Sequence, residues 1–255
     1  QTTEPLPTRL GEPVQLTSND DFLKAGEAYF SPDSRRLIFQ AIRQPGEGES
    51  PSDHYSMYVG DLLTRDGEVT DLVNVTQVSP EGAANTCGWF HPDDPDRVLF
   101  STTMVPPAAT PPPGYQREEG SYHWAFPPEM DIVTRRQHAD GTWGPIEVLL
   151  SDQEAYVAEA SWSPDGRHVL YTSLATGDGD IYVLDTMTDT STLLVGADGY
   201  DGGPFFSPQG NRICYRSDRR RDDYLQVFVA DLVFDGDGRV TGIDREQAVT
   251  DDAYV

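Results

Sequence analysis

Cysteine and long apolar runs are scarce in this chain of 255 residues. Cys87 and Cys214 are its two cysteines, which are too few for a disulfide framework and do not form a Cys-x-x-Cys metal motif. Both lie in apolar runs, so we expect two buried thiols. No apolar run approaches the roughly 20 residues that are needed to cross a bilayer, and we expect no membrane span.

Basic residues are also few, because 18 Lys and Arg stand against 43 Asp and Glu and leave a net charge of −25. This excess of acid argues against nucleic acid as a partner. Aromatic residues make up 10 % of the chain, enough to exclude disorder and predict a packed core. The chain begins at Gln1 without Met or an apolar leader, which suits either a processed secreted protein or a trimmed chain.

What the sequence does contain is a fourfold repeat. An aromatic segment followed by a turn is centred on a proline in each copy, at Pro32, Pro92, Pro164 and Pro208. A second apolar run follows each turn, at 37–39, 98–100, 169–171 and 213–215. A third run lies at 57–61, 131–133, 181–185 and 227–231, and a fourth at 72–76, 146–150, 192–195 and 247–250. We therefore predict four strands in each of four units.

The local chemistry of each unit agrees with an all-β fold. The segment Ser163-Pro164-Asp165-Gly166 is typical of a tight turn between the first two strands. The second strands are apolar at consecutive positions, which indicates that both faces of each sheet are buried. Sheets stacked face to face around an axis satisfy that pattern. We predict one β-propeller domain over 1–255, with antiparallel four-stranded blades at about 26–76, 87–150, 158–195 and 203–250.

At this point the repeat resembles a known family. The Trp/Phe-Ser-Pro-Asp-Gly turn, followed by Ile181-Tyr182-Val183-Leu184-Asp185 and an apolar strand with Thr, is similar to the repeat of TolB and its relatives. The resemblance covers about 14–250. It implies a non-enzymatic propeller that binds a protein or a ligand through its loop face, in the bacterial periplasm or outside the cell. Arg136 departs from the pattern, because Asp61, Asp185 and Asp231 stand at its position in the other units.

Function in a propeller is usually carried by the loops of one face. We expect the loops that lead into the first strands to share a face with the loops between second and third strands. The insertion at 104–128 is rich in proline and aromatic residues, and it forms either a binding lid or packing across the channel mouth. The candidate binding residues on this face are Asp20, Asp21, His54, Asn85, Tyr115, Arg117, Tyr122, His123, Trp124, Tyr200, Asp201, Arg219 and Arg220.

Recognisable catalytic motifs are missing. The sequence has no Gly-x-Ser-x-Gly elbow, no His-Glu-x-x-His and no glycine-rich phosphate loop. We therefore predict no catalytic residue, no resident metal and no cofactor. The acidic loops 178–180 and 235–237 have the carboxylate density of a calcium site, although neither continues as a twelve-residue calcium loop.

Three functions stay open at this point. The first is the non-enzymatic propeller that binds a protein, a small molecule or a glycan at its loop face. The second is the propeller domain of a larger peptidase. The third is a metal-dependent propeller enzyme similar to oligogalacturonate lyases, in which His54 and His123 would be metal ligands.

The ends of the chain suggest a larger ring. Residues 13–17 look like a fourth strand that closes a ring, and 251–255 resemble the lead-in to blade 1. The sequence allows a closed four-bladed ring. It favours part of a propeller with six or more blades, in which 251–255 lead into a fifth blade. An exposed last edge would favour self-association.

Overall fold

The computed structural model describes residues 12–108, 116–118, 121–123, 127–220 and 224–250, with the backbone alone for 116–118 and 121–123. Four antiparallel four-stranded sheets in these ranges are arranged as a four-bladed β-propeller. The predicted all-β propeller with four blades is confirmed. No helix in the described ranges is long and apolar enough to cross a membrane.

The strands of blades 1 and 2 follow one another from the channel outwards. Blade 1 contains β1 (Phe22–Phe30), β2 (Arg36–Arg43), β3 (Ser56–Arg65) and β4 (Glu68–Gln77). Blade 2 begins with β5 (Asn85–His91) and β6 (Asp94–Thr102). The insertion after β6 contains a separate hairpin of β7 (Gln116–Glu118) and β8 (Ser121–His123). Blade 2 then ends with β9 (Asp131–Gln137) and β10 (Trp143–Leu150).

Blades 3 and 4 repeat the same order without an insertion of this kind. Blade 3 contains β11 (Val157–Trp162), β12 (His168–Ser173), β13 (Asp180–Asp185) and β14 (Thr190–Val195). Blade 4 contains β15 (Asp201–Phe206), β16 (Arg212–Ser217), β17 (Gln226–Phe234) and β18 (Val240–Ala248). The four inner strands β1, β5, β11 and β15 surround the central channel.

Apolar cores fill the spaces between neighbouring blades. Along β6, Val98 and Phe100 pack against Ile38 and Met57 of blade 1, whereas Leu99 packs into the core shared with blade 3. Successive side chains of a strand point to opposite faces, so both faces of the second strand are buried. Each fully buried side chain of this size contributes about 1.5–3 kcal/mol. Burial on both faces explains the consecutive apolar residues of the second strands.

The turn after the inner strand is held by its serine and aspartate. In blade 3 the Ser163 hydroxyl donates to Asp165 Oδ1 at 2.5 Å and accepts from the His168 N–H at 2.8 Å. Gly166 there has a φ of 69°, and its N–H donates to the Ser163 carbonyl. Ser34 takes the corresponding left-handed position in blade 1, with a φ of 56°. The departure from glycine in blade 1 therefore leaves the turn intact.

One position differs in exposure between blade 1 and the other blades. Phe90 and Trp162 lie two residues before their prolines, and they are 2 % and 4 % exposed because each packs against the preceding blade. Phe30 has the same position in blade 1 and is 61 % exposed. Blades 4 and 1 meet instead at the channel, where the rings of Phe205 and Tyr29 lie 5.8 Å apart. Within the part of the chain that the structure describes, blade 1 thus presents an open lateral face.

The segment 13–17 lies outside any strand, although the sequence predicts a closing strand there. Pro13 has no N–H to donate, and the Gln15 side chain bonds within the segment, to the Thr17 carbonyl at 2.7 Å. Closure of a ring by this segment stays a prediction. The expected lead-in at 251–255 lies outside the described residues.

Candidate functional site

One face of the propeller is fixed by a hydrogen bond that recurs in every blade. The residue after each second strand donates its N–H to the carbonyl before each inner strand. The four bonds join Gln44 to Asp21, Thr103 to Ala84, Leu174 to Tyr156 and Asp218 to Tyr200. The two sets of loops therefore share a face, which we call the loop face. The turns with the marker prolines lie on the opposite face, the turn face.

Each inner strand has a β-bulge five residues before its marker proline. The backbone is left-handed there, at Glu27 (φ 44°), Cys87 (φ 52°), Glu159 (φ 55°) and Gly203 (φ 59°). The pairing of the inner strand also shifts register at all four positions. A bulge turns its side chain away from the regular alternation of a strand. These four positions form one ring around the channel, which we call the bulge ring.

Glu159 of the bulge ring joins blades 3 and 4. Its Oε2 accepts from the Tyr200 hydroxyl at 2.5 Å, from the Gly203 N–H at 2.7 Å and from the Thr172 hydroxyl at 3.0 Å. Its Oε1 forms an ion pair with the Arg216 guanidinium at 3.1 Å. Four donors satisfy this carboxylate and hold it in place within the channel wall.

Arg216 reaches the bulge ring because Gly203 has no side chain. A Cβ atom on Gly203 would lie 2.7 Å from Nε of Arg216, closer than such atoms can approach. The left-handed backbone of Gly203 also favours glycine. Blade 4 therefore contributes a guanidinium from β16 to the channel, where the inner strands of the other blades contribute their own side chains.

The Glu27 carboxylate and the Cys87 thiol meet on the other side of the channel. Cys87 Sγ donates to Glu27 Oε2 at 3.5 Å and lies 3.2 Å from the Thr86 hydroxyl. Burial in the channel wall raises the pKa of both groups, and the nearby carboxylates raise the pKa of Cys87 further. The thiol is therefore protonated at neutral pH. Cys87 and Cys214 are both half-buried, whereas the sequence predicts two buried thiols.

An aromatic cluster lies below the bulge ring. The ring centroids of Tyr29 and Trp89 are 4.7 Å apart, and those of Trp89 and Phe205 are 5.6 Å apart. Together with the bulge ring, these side chains line a cavity of about 220 Å³. The channel thus offers two carboxylates, a thiol and a guanidinium above an aromatic floor.

Of the predicted site residues, Tyr200 is brought to the bulge ring by its bond to Glu159. Asn85 is buried, and its Nδ2 donates to the carbonyls of Tyr55 at 2.9 Å and Ala83 at 2.7 Å. Asp201 is also fully buried, and its Oδ2 accepts from the Ala197 N–H at 2.9 Å. These contacts hold the loops in place, and a binding role for these residues stays a prediction.

Arg219 holds the outer strands of blade 4 to the loop face. Its guanidinium pairs with Glu246 at 2.7 Å and lies 4.1 Å above the Phe228 ring. It also lies 3.6 Å from the Asp201 carboxylate. Arg220 is exposed on the same loop, and its predicted binding role stays a prediction.

The remaining predicted residues do not line the cavity where their side chains are described. Asp20 and Asp21 are exposed in the turn before β1, and His54 is half-buried before β3. Tyr115 and Trp124 lie outside the described residues. In the β7–β8 hairpin the backbone pairing places Arg117 opposite Tyr122 and Gln116 opposite His123, and the side chains of that hairpin are not described.

Among the described residues, no three His, Cys, Asp or Glu side chains are placed to hold a metal ion. In the loops considered for calcium, Asp178 Oδ2 accepts from the Gly199 N–H at 2.9 Å and Asp235 pairs with Arg239 at 2.8 Å. These bonds occupy carboxylate oxygens that calcium would need. The absence of a resident metal stays a prediction.

No protein-family model matches the chain. It is 27 % identical over 107 residues to the Tol-Pal system protein TolB of Francisella tularensis subsp. holarctica, which covers 37 % of this chain and 25 % of that protein. Over 89 residues it is 37 % identical to dipeptidyl-peptidase 5 of Porphyromonas gingivalis, covering 30 % and 13 % of the two chains. The structure of TolB from Acinetobacter baumannii superposes with a TM-score of 0.51 and 17 % identity, over 91 % of this chain and 47 % of that one.

The chain is a TolB-like β-propeller. At this level of identity the structural likeness describes the fold alone. The TolB-like propeller spans about a quarter of the length of the curated TolB sequence that it matches, and about half of the solved TolB chain.

The bulge ring of this TolB-like propeller was missed by sequence reasoning. Charge and aromatic content in the loops do not point to Glu27, Cys87, Glu159 or Arg216. A signal was present, because three of these residues stand at one fixed distance before the marker prolines. Alignment of the four repeats by that distance identifies Glu27, Cys87 and Glu159, whereas Arg216 follows its marker proline.

Proposed function

We propose that this propeller is a non-enzymatic binding platform that takes a protein partner on its loop face. The observation that carries the proposal is the bulge ring in the wall of the channel. Its polar groups are held in fixed positions above an aromatic floor, and a surface of this kind is suited to accept a side chain or chain end of a partner. The sequence likeness to a Tol-Pal system protein supports the same role.

The chemistry of two bulge-ring residues, Glu159 and Cys87, favours binding over catalysis. The Glu159 carboxylate is engaged by four donors, and burial keeps the Cys87 thiol protonated. A nucleophile needs a deprotonated thiol, unlike that of Cys87, and a general base needs a carboxylate whose oxygens are not engaged by other donors, unlike that of Glu159. The net charge of −25 further favours a partner segment that is basic or polar. We propose a periplasmic or secreted location for this interaction.

Site-specific photo-crosslinking tests which face binds. A photoreactive residue at Asp20, on the loop face, should give discrete protein adducts in the native host. The same residue at Asp140, in the β9–β10 turn on the turn face, is the matched control and should give none. Equal adducts from both positions would contradict the proposal.

The partner identified in this way provides a second test with purified proteins. Glu27→Gln in the channel should weaken its affinity severalfold, because a carboxylate that faces the cavity is removed. Glu68→Gln makes the same change in charge at the turn face and should leave the affinity unchanged. An affinity that responds equally to both changes would point to the overall charge instead of the channel.

A second candidate is the propeller domain of a peptidase. It is favoured by the 37 % identity with dipeptidyl-peptidase 5 over 89 residues. A reading frame that encodes a Gly-x-Ser-x-Gly motif downstream of Val255 would support this candidate, and peptide hydrolysis by the full-length protein would then replace the binding proposal.

A further inference from the structure

Blade 2 reverses a charge pattern that the other blades share. At one register position in blades 1, 3 and 4, a basic residue near the start of the second strand lies opposite an acidic residue of the third strand. The facing pairs are Arg36 and Asp61 in blade 1, His168 and Asp185 in blade 3, and Arg212 and Asp231 in blade 4. In blade 2 the facing residues are Arg97 and Arg136. Like charges directly opposite one another destabilise a sheet.

The two arginines are unequally compensated. Arg136 pairs with Asp94 at 2.8 Å, although its side chain remains 64 % exposed. Arg97 has no ion pair with any described residue. Its guanidinium lies 5.5 Å from the Trp162 ring centroid, and its NH2 group donates to the Thr134 hydroxyl at a long 3.4 Å. A guanidinium has five N–H donors, so Arg97 retains donors for another acceptor.

Both arginines open onto one cavity of about 330 Å³ on the rim of blade 2. Thr134, Arg135, His138 and Glu147 also line it. Arg135 is committed to the fold, because it donates to the carbonyls of Gly144 at 2.8 Å and Val78 at 2.6 Å. Glu147 is the carboxylate in the lining. Three arginines in one cavity stand out in a chain with so few basic residues.

We propose that this cavity binds a small oxyanion-bearing ligand, whose phosphate, sulfate or carboxylate group lies between Arg97 and Arg136. Guanidinium groups recognise such anions through paired, charge-assisted hydrogen bonds. The Thr134 hydroxyl and the His138 imidazole are positioned in the same lining to bond further oxygens. The bound anion compensates the repulsion that the facing arginines otherwise impose on blade 2. The site is on the turn-face side of blade 2 and is independent of the loop face.

Calorimetric titration of the intact chain tests this site with inorganic phosphate, sulfate and malonate as separate probes, each at constant ionic strength. At least one probe should bind saturably with one site per chain and raise the melting temperature. The order of affinities tells a phosphate or sulfate ligand from a carboxylate. No saturable binding of any of the three would overturn the proposal.

Substitutions in the cavity test whether Arg97 and Arg136 bind the anion. Arg97→Gln and Arg136→Gln should each raise the dissociation constant about tenfold or more, because each removes a charge-assisted bond. Arg35→Gln makes the same charge change at a side chain that is 83 % exposed in blade 1, and it should leave binding unchanged. Glu147→Gln removes the opposing carboxylate and should tighten binding. Equal weakening of binding by Arg35→Gln and Arg136→Gln would overturn the proposal. Because the Arg136 side chain is exposed, this comparison can still be made if the Arg97→Gln variant does not fold.

Discussion

Cys87 and Glu27 hold equivalent positions in neighbouring blades, and the thiol of Cys87 donates to the carboxylate of Glu27 at 3.5 Å. Both residues adopt a left-handed backbone at their bulges, and both side chains line the central cavity. A thiol is a weak donor, so this bond compensates little of what the carboxylate loses by burial. Burial therefore raises the pKa of Glu27.

This relationship predicts how Glu27 affects stability with pH. The pKa of Glu27 is higher in the folded state than in the unfolded chain. As the pH rises from the unfolded pKa through the folded pKa, folding becomes less favourable, because the unfolded chain ionises first. At pH 7.5, above the window, Glu27→Gln should raise the melting temperature by about 1–3 °C. At about pH 4 Glu27 is largely protonated in both states, and the gain should shrink towards zero.

Thermal unfolding of the unchanged protein and of Glu27→Gln at pH 4 and pH 7.5 measures this difference in melting temperature. Glu68→Gln is the control, since Glu68 is exposed at the turn face and should shift the melting temperature little at either pH. A gain from Glu27→Gln that is equal at pH 4 and pH 7.5 would show that its charge is not the cause.

The open face of blade 1 predicts unequal costs for one chemical change. Phe90→Ala removes a ring that is 2 % exposed in the core between blades 1 and 2, and it should cost about 3–5 kcal/mol. Phe30→Ala removes the same ring at the equivalent position, where it is 61 % exposed, and should cost about 0.5 kcal/mol or less. Urea unfolding of both variants measures the difference.

A large cost for Phe30→Ala in this chain would mean that Phe30 is covered in solution. Gel filtration would then show whether a second copy covers it. The sequence-based expectation of six or more blades makes a related prediction: in a longer chain with a preceding blade, the cost of Phe30→Ala should rise towards that of Phe90→Ala.

The sequence predicts the blades better than it predicts the site, for a physical reason. The marker prolines and the consecutive apolar runs report turn chemistry and two-sided burial, which depend on residues close in sequence. The bulge ring depends on left-handed backbone at Glu27, Cys87 and Glu159, and these residue types do not signal that conformation. Charge in the loops does not predict the site, since Arg219 pairs with Glu246 within blade 4.

The ion pair of Asp185 and Arg167 predicts a second pH dependence of opposite sign. The guanidinium donates to both carboxylate oxygens, at 2.7 and 3.2 Å, and lowers the pKa of Asp185 to about 2. When the pKa of an acid is lowered by folding, the folded state is stabilised at pH values above the pKa of the unfolded chain. This gain is lost as the pH falls through the folded pKa. Asp185→Asn should cost about 1–2 kcal/mol at pH 7, after allowance for solvent screening.

Urea unfolding of Asp185→Asn between pH 7 and pH 2 measures this loss. The difference from the unchanged protein should fall steadily below about pH 4, where Asp185 begins to be protonated in the unfolded chain. Asp235→Asn is a matched control at an exposed turn with its own arginine partner, and it should cost less at pH 7. A constant difference across the whole range would contradict a contribution from charge.

The network around Glu159 predicts that its members act as a unit. Glu159→Gln removes the charge that pairs with Arg216 and leaves one acceptor oxygen for the four donors. Because Arg216 is partly exposed, the change should cost about 2–3 kcal/mol. Arg216→Gln alone should also destabilise the fold. Together the two changes should cost less than the sum of their separate effects, by about 0.5–2 kcal/mol, because either one already breaks the same ion pair. A double-mutant cycle in urea gives that coupling energy directly. Additive costs would mean that Glu159 holds blades 3 and 4 through Tyr200 and Gly203 alone, and that Arg216 is free to serve a ligand in the channel.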